Sequence, residues 1–142
     1  MAQPYAKLWT IPSVDAAAAQ VLQEIVDATK LHGYDDSVFA VRLALDEALV
    51  NAVRHGNKSD PDKTVKVECS IDAERIWIQI EDQGPGFVPA DVPDPTDPGN
   101  IGKPNGRGVM LMRAYMTEVD FNERGNRVTL TKRRDCPRPH AD

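Results

Sequence analysis

"VKVECSIDAERIWIQIEDQGPGF", from Val65 to Phe87, is the stretch that decides the fold. Val65, Val67, Cys69 and Ile71 alternate with polar residues, and Ile76, Ile78 and Ile80 do the same after a polar "DAER" turn. A period of two puts the apolar set on one side of each strand, so the stretch predicts a hairpin with one greasy face. That face has to be covered. The second strand then runs into "EDQGPGF", whose glycines and proline end it in a turn.

The cover is readable upstream. In the stretch before Asn57, Val41, Ala44, Leu45, Ala48, Leu49 and Ala52 recur at helical spacing, and Gly56 closes the run. Asp35 or Asp36 is the expected cap of this helix. An earlier helix carries Val21, Leu22, Ile25 and Val26 and stops at Gly33. Ser13 is its expected N-cap, with Asp15 in the first turn, where the helix dipole favours an anion. "AKLWTIP" before it reads as a first strand ending at Pro12.

Downstream, Val88 to Asn105 is rich in Pro, Asp and Gly and has little to bury. A loop this long in a small domain is more often functional than idle. "GRGVMLMRAYM" resumes helical spacing, and "VDFN" and "RVTLTK" form a second hairpin around Arg124 and Gly125. The order of elements predicts an α/β fold: a two-layer sandwich with a mixed, mostly antiparallel sheet and helices on one face. Residues 1–134 are read as a single domain and 135–142 as a loose tail. "KRR" at Lys132 to Arg134 is read as a solvated C-terminal run.

Composition narrows the function classes. The chain has 142 residues, 41% of them hydrophobic, which suits one domain with a real core. A net charge of -5 argues against direct nucleic-acid binding. No apolar run approaches the ~20 residues that span a bilayer, and the N-terminus does not read as a secretory signal. Two cysteines, Cys69 and Cys136, make neither a disulfide framework nor a metal cluster, and Cys69 is expected to be a buried thiol. A reduced, cytoplasmic protein with no membrane association is the simplest expectation.

Three local features carry chemistry. Glu47 and Asn51 are four apart on an otherwise apolar helix, and Arg54 and His55 extend the stripe by a turn. Mid-helix asparagine is unfavourable by propensity. Asp82, Gly84 and Gly86 form D-x-G-x-G after a strand, where backbone can approach a ligand and an acid can accept from an amine. Gly106-Arg107-Gly108 opens a helix whose free amides suit phosphate. Each alone has an ordinary reading: a solvated face, a turn, a loop-to-helix junction. The Walker pattern is absent, because Gly102-Lys103 is followed by Pro104 and Asp97 stands at the first glycine position. No strand directly precedes Gly106, so a Rossmann reading fails as well.

Taken in order, E-x-x-x-N on a helix, D-x-G-x-G after a strand and G-x-G after a long loop resemble the GHKL ATPases. That group includes gyrase, the histidine kinases and the mismatch-repair ATPases. "LALDEALVNAVRHGN", "IEDQGPGF" and "NGRGVMLMRAYMTEVDF" look like its small bacterial anti-sigma factor serine/threonine-protein kinases. The resemblance covers roughly Leu8 to Lys132. It implies that Asn51 coordinates Mg²⁺, that Asp82 accepts from the adenine amino group, and that Gly84 and Gly86 pass under the base. It implies an ATP lid over residues 88–105 and amides from Gly106, Arg107, Gly108 and Val109 on the phosphates. His55 joins the ATP-binding set. Glu47 is the implied general base for a substrate serine, with Arg54 or Arg107 supplying positive charge.

The implied partners are a sigma factor and a small anti-anti-sigma antagonist domain, and family members are often homodimers. One departure stands out. The family commonly has a threonine after the glycine of the last hairpin, where Asn126 follows Gly125 here, and Thr129 is a poor substitute at its distance. Three alternatives remain open at this point: an ATP-binding sequestering module without kinase activity, a stand-alone histidine-kinase-like ATPase domain, and an interaction domain that binds no nucleotide.

Overall fold

The alternating segments form two strands, β2 (Thr64–Ile71) and β3 (Arg75–Glu81), joined by the expected turn. Asp72 fixes that turn by accepting from the backbone N–H groups of Glu74 and Arg75. On the inward face, Val65, Val67, Cys69, Ile71, Ile76 and Ile78 are fully buried. The outward positions, Lys66 and Glu68 among them, face water, as an antiparallel sheet with one dry side allows. The computed structural model describes residues 4–85 and 106–134. The expected lid over 88–105, Gly86, Cys136 and the expected tail lie outside the described residues, as does the side chain of Arg107.

Strand β1 (Tyr5–Pro12) lies on one edge, and β4 (Glu118–Phe121) and β5 (Arg127–Arg133) complete the order β1-β2-β3-β5-β4. All four ladders are antiparallel. The two-layer α/β sandwich is present, with a wholly antiparallel sheet where a mixed, mostly antiparallel one was expected. Two helices separate β1 from β2, and this connection returns the chain against β1 in the opposite direction.

Helices α1 (Asp15–Leu31), α2 (Val38–Val50) and α3 (Gly106–Tyr115) cover the dry face, with α2 in the middle touching both others. Ala40, Ala44, Ala48 and Ala52 are all buried, and their small side chains let α2 approach its neighbours closely. Ile25, Leu45, Leu49, Met112 and Leu130 fill the space between the layers. Each such side chain contributes roughly 1.5–3 kcal/mol by leaving water.

Three local expectations are corrected. Ser13 does not cap α1. Its hydroxyl donates to the Lys63 carbonyl at 2.8 Å and accepts from Asn57, and Val14 occupies the cap position. Asp35 and Asp36 do not cap α2 either; with Ser37 they form a short 3₁₀ turn that leads into it. Lys132–Arg134 is a solvated run only in part: Arg133 and Arg134 are exposed, and Lys132 is buried. Lys132 lies with its stem in the protein and its ammonium on the Tyr115 carbonyl at 3.0 Å, at the negative end of α3. Arg134 stacks on Tyr34 at 3.8 Å and donates to the carbonyls of His32, Gly33 and Ala73. Cys69 is buried as expected, and burial pushes its thiol up to about 12.

Candidate functional site

Helix α2 does not stop at Val50. It widens into a π-helical turn over Asn51–Gly56, in which the Asn57 N–H reaches back five residues to the Ala52 carbonyl at 2.9 Å. Such widened turns are rare and frequent at functional sites. A π turn holds more residues than an α turn, so residues beyond Asn51 lag behind the stripe begun by Glu47. The consequence is a correction. Arg54 faces α1 and pairs with Asp15 at 2.9 Å on the surface, away from the site. His55 lies over the cleft with Asn51.

That cleft encloses about 520 Å³ of empty space, part of it open to solvent. Asn51, His55, Gly56, Asp82, Pro85 and Asn126 supply its polar and backbone wall, and Ile80, Met112 and Val128 its apolar wall. Asp82 directly follows β3 there. Its Oδ1 accepts from the Gly84 N–H at 2.8 Å, which turns the chain. Burial holds the Asp82 carboxyl above its usual range, opposed by the Gly84 N–H. His55 is held below its usual range, first by desolvation of its ring and second by the charge of Arg54. It is exposed overall, so the shielding acts on the ring's cleft side.

The close approaches explain the glycines. A methyl group on Gly56 would run into the Asp82 carboxylate, with Oδ1 at 2.6 Å. One on Gly84 would run into the Gly56 carbonyl group, whose carbon would be 2.6 Å away. Helix end and D-x-G turn are therefore in backbone contact, and Gly56 belongs to the site. Its place after a helical run marks it in sequence only as a helix stop. Asn57 is a second residue missed. Fully buried, it donates to Ser13 and to the Thr64 carbonyl and accepts from the Gln83 N–H at 2.8 Å. It binds the loop before α1, the start of β2 and the D-x-G turn into one unit.

Glu47 and Asn51 meet α3 at its start. A methyl group on Gly108 would lie 3.0 Å from Glu47 Oε2 and 3.2 Å from Asn51 Nδ2. A side chain at 108 would press on the ends of both, so glycine there eases the close approach of the helix start. Gly106 to Val109 are the first four residues of α3, the ones whose N–H groups have no partner within the helix. The Val109 side chain points into the core and anchors that end. Thr129 hydrogen-bonds Gln79 on the other face of the sheet, so it does not substitute for Asn126.

The environment of Asp82 sets a stability prediction. A carboxyl raised by burial favours the protonated folded state, so its contribution is present at low pH and lost as pH rises through the folded value. At neutral pH the ionised group therefore opposes folding. Asp82→Asn should unfold at a temperature no lower than wild type at pH 7, and calorimetry checks this. A clearly lower midpoint would mean that the charge stabilises the fold.

Comparison with known proteins places the chain in a family. The chain is 28% identical over 111 residues to an anti-sigma F factor of Oceanobacillus iheyensis, covering 73% of this chain and 75% of that one. It is 29% identical over 105 residues to an anti-sigma F factor of Clostridium botulinum, covering 69% and 72%. Against one of Clostridium novyi it is 30% identical over 105 residues, with the same coverage of 69% and 72%. The family model described as the histidine kinase-like ATPase domain matches residues 11–132, from the end of β1 to the end of β5. The chain belongs to the histidine kinase-like ATPase family.

Proposed function

We propose that this protein is an anti-sigma factor with serine/threonine-protein kinase activity. It binds Mg-ATP, holds a sigma factor inactive, and phosphorylates a small anti-anti-sigma antagonist domain. The observation that carries this reading is the contact of Gly108, at the start of α3, with Glu47 and Asn51, in a cleft whose far end is Asp82. The relatives named anti-sigma F factor support the sigma-factor half of it.

In this reading Asp82 Oδ2 accepts from the adenine amine, and Gly56, Gly84 and Gly86 let the base lie against backbone. His55 borders the nucleotide in its neutral form. The amides of Gly106, Arg107, Gly108 and Val109 hold phosphate oxygens at the positive end of α3. The donor set suits magnesium. Asn51 offers a hard amide oxygen, and no group of three or more acidic, cysteine or histidine residues that could hold a metal exists among the described residues. Such a site fits an ion that takes most of its ligands from water and phosphate. Magnesium would supply charge neutralisation on the phosphates. Arg54 pairs with Asp15 on the surface, and Arg107, at the start of α3, serves the same purpose in this reading.

Glu47 takes the proton from the serine hydroxyl as its oxygen attacks the γ-phosphorus. The bond from that phosphorus to the bridging oxygen breaks, and ADP leaves with the electron pair. Phosphoryl transfer depends mostly on such positioning and charge placement. Residues 1–134 form the working domain, 88–105 the lid over the nucleotide, and 135–142 a tail. The protein acts as a homodimer in the cytoplasm, touching neither DNA nor membrane. Among the described residues, no helix is long and apolar enough to cross a membrane.

The test is phosphoamino-acid analysis after incubation with radiolabelled ATP and a small antagonist domain encoded beside the protein's own sigma factor. Acid-stable phosphoserine or phosphothreonine on the antagonist is the expected result. Acid-labile label on histidine points to the stand-alone histidine-kinase-like module. No transfer, with ATP and sigma-factor binding intact, leaves a sequestering module.

A further inference from the structure

The end of β3 is held by a relay of asparagines that the nucleotide reading does not use. Asn126 takes both backbone groups of Asp82. Its carbonyl accepts the Asp82 N–H at 2.9 Å, and its side-chain Nδ2 donates to the Asp82 carbonyl at 3.0 Å. The Asn126 amide is in turn fixed by Asn122, whose Nδ2 donates to Asn126 Oδ1 at 2.7 Å. Asn122 is itself immobilised. Its Oδ1 accepts from the backbone N–H groups of Gly125, Asn126 and Arg127 at 2.8, 3.0 and 3.1 Å. The tight turn this requires places Gly125 at φ 78°, a conformation natural to glycine.

The relay acts on one side of Asp82, and Asn57 holds the next residue, Gln83, from the other. The two clamps fix the Asp82 backbone, and the Gly84 N–H holds its Oδ1, so the carboxylate starts from a set position beside the cleft. Asn126 is buried at 8% exposure and borders the cleft, whereas Asn122 is not part of the cleft wall. A threonine at 126 has one side-chain oxygen where the asparagine uses two amide atoms, one toward Asn122 and one toward the Asp82 carbonyl. The side chain that departs from the family pattern thus has its own task in this chain.

We infer that Asn122 and Asn126 are positioning residues that aim the Asp82 carboxylate, and so set how strongly the site prefers adenine over guanine nucleotides. This rests on the proposal that Asp82 reads the adenine amine. Guanine carries a carbonyl where adenine carries its amine, so discrimination requires the carboxylate to stand at one place. A carboxylate free to swing reaches fewer adenines and avoids guanine less strictly.

The experiment titrates wild type, Asn126→Ala, Asn122→Ala and the double variant with ATP and with GTP in excess Mg²⁺, and records each melting temperature. Asn126→Ala should lower the ratio of ATP to GTP affinity about fivefold to tenfold. Asn122→Ala, which touches no ligand, should lower it in the same direction. The double variant should lose less than the two single losses combined, because the Asn122 amide acts partly through the Asn126 side chain. A merely structural role predicts lower melting temperatures with the ratio unchanged. That outcome in the folded single variants overturns the inference while leaving Asp82 as the adenine reader. If Asn126→Ala fails to fold, Asn122→Ala decides alone: an unchanged ratio overturns the relay. A wild type that binds both nucleotides equally overturns the adenine reading and the relay together.

Discussion

Glu47→Ala should transfer phosphate to its antagonist at least about a hundredfold more slowly than wild type, while binding ATP with near-normal affinity. A serine hydroxyl is a poor nucleophile until its proton has an acceptor, and a positioned base typically contributes about 10²–10⁴-fold in rate. Glu47 lies one turn before Asn51, and its Oε2 faces Gly108 at the start of α3. Asp82 follows β3 and Gly56 closes the π turn nine residues beyond Glu47, so the base end of the cleft survives the change. Single-turnover transfer together with an ATP titration separates the two effects. Wild-type transfer by the variant would mean that another group takes the proton. Loss of ATP binding would mean that Glu47 supports the site instead of the chemistry.

A comparable loss, on binding instead of rate, is expected at Gly84. The methyl group of Gly84→Ala would collide with the Gly56 backbone, and backbone cannot swing aside as a flexible side chain does. The turn after β3 and the π turn must separate, which moves Asp82 and opens the floor beneath the base. Strain of this kind costs typically 1–3 kcal/mol. ATP affinity should therefore fall by about tenfold to a hundredfold. The melting temperature should fall by several degrees, at about 2–4 °C per kcal/mol for a chain of this size. Calorimetric titration and a thermal melt read both. Unchanged affinity would show that the two segments do not need their close contact.

The sheet and the helix faces were legible because each rests on a local period. Ile76, Ile78 and Ile80 declare a strand, and Ala44, Ala48 and Ala52 a packed helix face, with no knowledge of what lies opposite. Glu47, Asn51 and Asp82 stood out because polar groups break these periods. What was not legible depends on contacts across the chain. Gly56 looks like any helix stop until Asp82 is seen beside it. Asn57 looks like a turn residue until it is found between Ser13, Thr64 and Gln83. No periodicity announces the π turn, so Arg54 was placed in the stripe that His55 in fact continues. Ser13 was read as a cap because serine before a helix usually is one. Here the Lys63 carbonyl and Asn57 claim its hydroxyl first.

The proposed adenine site joins these parts, since Gly56, Asp82 and Asn126 line one cleft and Gly84 packs against Gly56. A titration of the wild-type protein with ATP and GTP, each with and without Mg²⁺, addresses it. ATP should bind more tightly than GTP by about tenfold or more, since a buried acceptor left facing another acceptor costs about 1–3 kcal/mol. Binding should strengthen with Mg²⁺, and Asp82→Asn should lose the preference for ATP, because its amide can present a donor to guanine. Equal affinity for the two nucleotides, or binding of neither, would contradict the assignment of Asp82 and with it the nucleotide site.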